Sequence, residues 1–271
     1  MSRHPDHADG SGEPGTCAPV DPEGSGEPGT GAQVDQAAPF RVVASSRPFR
    51  GRVFSARVDR IADEHGRQAE REVAEHGGAV AALVVDEHGD LLLVEQWRHP
   101  VGARVLEIAA GKYDVQGETV EDALRRELVE ELGVEGGTLT WLASFYTTPG
   151  WSDEVLDLFL AEGVRPVDGA GGAGDWEERD LTVVRLAYDQ ALRLVAQTLP
   201  ADAKTLVALG LYGLKRAGAW APDPAWGPPA DAPARRIAAR RARLDAAAGQ
   251  HDTHGGRGPG GSGARPEDDF S

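Results

Sequence analysis

Apolar residues fill positions 79–86 and 90–97 on either side of the polar turn Glu87-His88-Gly89, and this predicts a β-hairpin. Residues 52–60 and 70–76 predict an earlier strand pair, and further strands are expected near 104–108, 138–146, 154–161 and 181–186. Between them, Leu124, Leu128 and Leu132 repeat at helical spacing, with Val120 supporting the start. Both ends of that helix are signalled. Thr119 can cap it, Asp122 three residues on makes a variant capping box, and Gly133 is the expected stop. Residues 187–197 and 202–217 also read as helices, with Leu192, Val195, Leu206, Leu209 and Leu214 as packing positions. The class is α/β, with a mixed sheet sandwiched between helices.

The pattern fades at both ends. Residues 1–38 are rich in Gly, Pro, Asp and Glu, and the heptapeptide Gly-Ser-Gly-Glu-Pro-Gly-Thr occurs at 10–16 and again at 24–30. Two copies are too short for a solenoid and read as a duplicated linker. Residues 221–271 are rich in Pro, Ala, Gly and Arg and lack core positions. The expected organisation is a disordered tail over 1–38, a folded domain over 39–220, and a disordered or partly helical tail over 221–271. Arg235, Arg236, Arg240, Arg241 and Arg243 can form a short basic helix there, read as a solvated one.

Composition narrows the function. Of 271 residues, 40% are apolar, which suffices for one sizeable core. Lys plus Arg number 28 against 44 Asp plus Glu, a net charge of −16, which argues against non-specific binding to nucleic acid or to an acidic membrane. An anionic substrate then needs a local basic pocket, a metal ion, or both. The single cysteine, Cys17, excludes an intrachain disulfide and a cysteine-based metal site. There is no apolar run of membrane-spanning length and no apolar signal core, so a cytoplasmic protein is expected.

The candidate chemistry lies on the first helix. Glu127, Glu130 and Glu131 share one helical face, where like charges repel unless a positive charge sits among them. A hard divalent cation suits such a patch, Mg²⁺ first and Mn²⁺ as an alternative. Arg126 is spaced to pair with Glu130.

These residues resemble the Nudix box. Gly111, Glu118, Arg126, Glu127, Leu128, Glu130, Glu131, Gly133 and Val134 fill its positions, with six residues between Gly111 and Glu118 where five are usual. The resemblance spans about residues 40–217 and points to the ADP-ribose pyrophosphatase branch. Arg71-Glu72-Val73, Gly78-Ala79-Val80-Ala81, Glu95 to Gly102, Leu106 to Gly111 and Thr148 to Glu154 look like that branch in order and spacing.

The resemblance implies a Nudix-type α/β/α sandwich with a small N-terminal strand element through which two copies form a homodimer. It implies Mg²⁺-dependent hydrolysis of ADP-ribose to AMP and ribose 5-phosphate. Glu127, Glu131 and the carbonyl of Ala110 are the implied metal ligands. Glu130 is a third ligand or orients water, and Arg126 orients the carboxylates. Arg71, Glu72 and Arg98 match positions that touch riboses and phosphates. The general base is expected outside the box, in the acidic segment 175–181, with Glu177 the best match and Glu178 next. Trp97 or Trp151 is a candidate to stack on the base. Two alternatives stay open: hydrolysis of another nucleoside diphosphate sugar or dinucleotide, and a non-catalytic ligand sensor built on the same domain.

Overall fold

The computed structural model describes residues 39–113, 118–167, 180–198 and 200–223. Residues 1–38, residues 224–271 and the acidic segment holding Glu177 and Glu178 lie outside the described residues. No helix among the described residues is long and apolar enough to cross a membrane.

The chain opens with a three-stranded antiparallel sheet of β1 (Arg41–Arg50), β2 (Ser55–Ala62) and β3 (Gln68–Glu75) in sequence order. Part of this sheet is held by charge. Buried Arg57 pairs with Asp59 at 2.9 Å and with Glu75 at 2.6 Å, and Arg47 reaches Glu75 at 2.8 Å.

The second sheet contains β4 (Ala79–Val85), β5 (Leu91–Arg98), β6 (Ala103–Glu107), β7 (Ala109–Lys112), β8 (Val134–Tyr146), β9 (Val155–Pro166) and β10 (Thr182–Leu186). Its spine runs β10-β5-β4-β9-β8, with β6 on β5 and β7 on β4, and β4 and β9 are parallel while the other pairs are antiparallel. Every residue of β4 is buried. Because strand side chains alternate, Val80, Ala82 and Val84 pack under α1 (Val120–Leu132), while Ala79, Ala81, Leu83 and Val85 pack on the opposite side. That side is covered by α2 (Tyr188–Gln197) and α3 (Ala203–Arg216), giving the α/β/α sandwich.

The expected hairpin forms over its turn but is short. β4 and β5 pair only through Val84–Leu92 and Val85–Leu91. Below that point β4 takes β7 as its neighbour, from Ala82–Ala109 to Ala79–Lys112, while β5 pairs with β6 and β10. The two strands splay, and the residues at the β6–β7 junction enter the gap.

Helix α1 starts and stops where its sequence indicates. Asp122 N–H donates to the Thr119 hydroxyl at 3.1 Å, and Gly133 takes the left-handed C-cap conformation at φ 63°. Leu124, Leu128 and Leu132 are buried. Removing the cap with Thr119→Ala is expected to cost about 1 kcal/mol in chemical denaturation, with the slope of the transition unchanged.

Several readings are corrected. β1 was not expected, because Arg41–Arg50 lacks apolar alternation and contains Pro48. β8 and β9 run longer than predicted, since β8 passes through Gly136 and Gly137. Leu192, Leu206 and Leu214 are exposed, not packed. α3 is apolar around much of its circumference, and it meets the sheet through Thr205, Ala208, Leu209 and Tyr212, where small residues allow close approach.

Candidate active site

A cavity of about 780 Å³ opens beside the splayed strands. Its lining includes Ala110 and Gly111 from β7, Glu127 and Glu131 from α1, Arg98 from β5, and Lys204 from α3. Each comes from a rigid element, so the sheet and two helices fix their relative positions.

Glu131 is anchored to the β7 backbone. Its Oε2 accepts the Ala110 N–H at 2.9 Å. Burial pushes its carboxyl up from 4.5 to about 7, and the nearby negative charge of Glu127 pushes the same way. In a strand, the N–H and C=O of one residue project to the same edge. The Ala110 carbonyl therefore shares the edge that faces Glu131.

Glu127 owes its place to a missing side chain. A Cβ at Gly111 would stand 1.7 Å from Glu127 Cδ and 1.9 Å from Oε1, so the carboxylate lies directly over the glycine backbone. Arg126 gathers the remaining box carboxylates. Its Nη1 donates to Glu127 at 2.6 Å and to Glu130 at 3.1 Å, and its Nε donates to Glu118 at 3.2 Å.

No group of three or more His, Cys, Asp or Glu side chains is arranged to hold a cation among the described residues. Two carboxylates and a backbone carbonyl nonetheless fit Mg²⁺, which uses one or two carboxylates and completes its shell with water and substrate phosphate. The raised Glu131 carboxyl beside Glu127 is a site that a divalent cation would relieve.

Sequence-predicted residues divide into groups. Ala110, Glu127, Glu131 and Arg98 meet at the cavity. Glu130 and Arg126 stand next to it and outside its lining. Arg71 and Glu72 are exposed on β3, away from this lining. Trp97 and Trp151 are exposed and do not line the cavity; the lining aromatics are Phe145 and Tyr146. Glu177 falls outside the described residues.

Other residues stand at or beside the cavity: Glu154, which the sequence offers as a further candidate base, and His76 and Glu107, to which it assigns no role. His76 and Glu154 approach to 3.3 Å at one part of the wall, and Glu154 also accepts from the Thr147 hydroxyl at 2.5 Å. Near Arg98, buried Glu107 receives both the Nε and Nη2 of that arginine, at 2.7 and 2.6 Å. Burial would raise the Glu107 carboxyl, yet Arg98 and Lys204 hold it below the ordinary range.

Comparison with known proteins bears on the family and the fold. A family model described as the NUDIX domain matches residues 75–208. The "Methanol dehydrogenase activator" of Bacillus methanolicus is 34% identical over 177 residues, covering 65% of this chain and 94% of that protein. The "ADP-ribose pyrophosphatase" of Bacillus subtilis (strain 168) matches to the same identity and extent. A crystal structure of an "ADP compounds hydrolase" superposes with a TM-score of 0.56 at 22% identity, covering 66% of this chain and 96% of that one, which bears on the fold alone. With the glycine–glutamate contact, the capped carboxylate helix and the extent of these matches established, the chain belongs to the Nudix family.

Proposed function

We propose that this protein hydrolyses the diphosphate bond of ADP-ribose, giving AMP and ribose 5-phosphate, with Mg²⁺ as the working cation and Mn²⁺ as a substitute. The observation that carries the reading is the meeting of Glu127, Glu131 and the Ala110 edge with Arg98 in one cavity. The 94% coverage of a relative named ADP-ribose pyrophosphatase supports the choice of substrate.

Glu127, Glu131 and the Ala110 carbonyl would hold the cation. The cation would neutralise diphosphate charge and activate water. Arg98 supplies a planar guanidinium suited to phosphate. Arg126, bonded to three carboxylates, keeps Glu127 and Glu130 in place. Water adds to one phosphorus, the bridging P–O bond breaks, and a proton passes to a carboxylate, for which Glu177 is the first candidate and Glu178 the second.

The active form in this reading is a homodimer. Phe49 on β1 and Phe40, Val53 and Phe54 next to the strand ends are exposed, and β3 carries Arg71 and Glu72 outside the cavity of their own chain. A second copy docked on that sheet would bring them to substrate. This reading places the protein in the cytoplasm, where a chain with one cysteine needs no internal disulfide.

The test is a kinetic panel. With Mg²⁺, ADP-ribose is expected to have the highest kcat/KM among ADP-ribose, GDP-mannose, UDP-glucose and diadenosine diphosphate. Glu177→Gln should lower kcat at nearly constant KM. A higher kcat/KM for another member would move the substrate assignment to it, and a benign Glu177→Gln beside a crippling Glu178→Gln would shift the base by one residue. Failure to cleave the whole panel, with ADP-ribose still bound, would instead favour a ligand sensor.

A further inference from the structure

Lys204 stands at the start of α3, and two independent contacts fix where it stands. Asp202 caps the helix by accepting the Thr205 N–H at 2.9 Å, and the Thr205 hydroxyl accepts the Ile108 N–H at 2.9 Å. Thr205 and Ile108 are fully buried, so the first turn of α3 is pinned to the β6–β7 junction. This places Lys204 over Glu107, the residue just before Ile108. Lys204 Nζ donates to Glu107 Oε2 and lies 3.0 Å from Asp202 Oδ1.

Glu107 is 2% exposed and serves two cations at once, Arg98 and Lys204. The pair faces the cavity that holds Glu127 and Glu131. Arg98 commits two of its five N–H groups to Glu107, and Lys204 donates one of its three N–H groups to Glu107 while lying beside the Asp202 carboxylate. Both therefore keep donors for a ligand among the described residues. If Glu107 needed only charge compensation, the bidentate Arg98 bond would supply it. A second, largely buried lysine on the cavity wall is surplus to that purpose.

We propose that Lys204 is a second substrate-binding cation, which acts with Arg98 on the diphosphate of the nucleotide, and that Glu107 is the positioning residue that holds the two together. The inference rests on the diphosphate-hydrolase reading above and adds the residue pair that receives the anion. A point charge and a planar fork set side by side match two kinds of phosphate oxygen contact. Neither residue is asked to transfer a proton.

The experiment compares Lys204→Met and Lys204→Arg in the full-length protein with Mg²⁺. Calorimetric binding of the non-hydrolysable α,β-methylene analogue of ADP-ribose is read beside KM, kcat and Tm. Lys204→Met should weaken analogue binding and raise KM about tenfold or more, with kcat changed far less and Tm nearly constant. Lys204→Arg should recover most of the affinity. Glu107→Gln should weaken binding in the same direction. Analogue binding by Lys204→Met within about twofold of wild type would overturn the proposal, as would a wild-type protein that binds no diphosphate. If wild type cleaves ADP-ribose and Lys204→Met matches it, only this inference falls. If wild type prefers another nucleotide sugar, the substrate assignment falls and the same KM comparison on that sugar decides the role of Lys204.

Discussion

Glu131→Gln is expected to lower kcat by roughly 10²- to 10³-fold while making the metal-free protein more stable at neutral and alkaline pH. Both effects have one cause. Burial raises the Glu131 carboxyl to about 7. In the unfolded chain it releases its proton near 4.5. Across that window the folded state binds more protons than the unfolded state, so stability falls as pH rises and the loss is complete above about pH 7. The loss is roughly 3 kcal/mol. Glutamine has no charge to bury and can still accept the Ala110 N–H. Thermal melts in EDTA should therefore show the variant near wild type at about pH 4 and clearly above it at about pH 8. A variant that is no more stable than wild type at the higher pH, or one that turns over normally with Mg²⁺, would take Glu131 out of the role assigned to it.

Gly111→Ala should separate activity from stability in the opposite sense. The new methyl group would fall within 2.2 Å of the Glu127 Cγ, Cδ and Oε1. What it meets is the flexible part of a side chain, so the backbone can stay in place while the carboxylate moves aside. The expected stability loss is about 1 kcal/mol or less. Displacing a ligand by about 1 Å is enough to cost roughly 10²-fold in rate. Activity assays at increasing Mg²⁺ should show a higher half-saturating Mg²⁺ concentration along with the lower rate. A well-folded Gly111→Ala protein with wild-type activity would mean that the Glu127 position over the glycine is not the working one.

Legibility in the sequence followed the range of the interactions. Everything that defines α1 lies within Thr119–Gly133: the cap, the leucine stripe, the stop and the carboxylates. Short-range signals therefore located the helix and its charged edge. The buried face of α3 was harder to read, because apolar residues surround much of that helix and the choice between Leu206 and Leu209 depends on what the helix packs against. Strand β7 lies in a stretch that reads as a glycine loop, and only its pairing with β4 makes it a strand. Glu107 and Lys204 are 97 positions apart, and nothing local to either residue signals that they meet. His76 and Glu154 are likewise brought together by the stapling of the 148–153 segment to β3 through Ala74, whose N–H reaches the Trp151 carbonyl at 2.8 Å. The helix and its row of carboxylates are local in sequence and legible there, whereas the ion pairs around them come from topology.

In the proposed function the diphosphate is cleaved at a cation held by the α1 carboxylates. The most direct measurement is ³¹P NMR of ADP-ribose incubated with the full-length protein, in parallel samples with Mg²⁺ and with EDTA. With Mg²⁺ the two diphosphate resonances should give way to two phosphomonoester resonances, from AMP and ribose 5-phosphate, and with EDTA the diphosphate should persist. Intact diphosphate in the Mg²⁺ sample, or equal cleavage with EDTA, would contradict it.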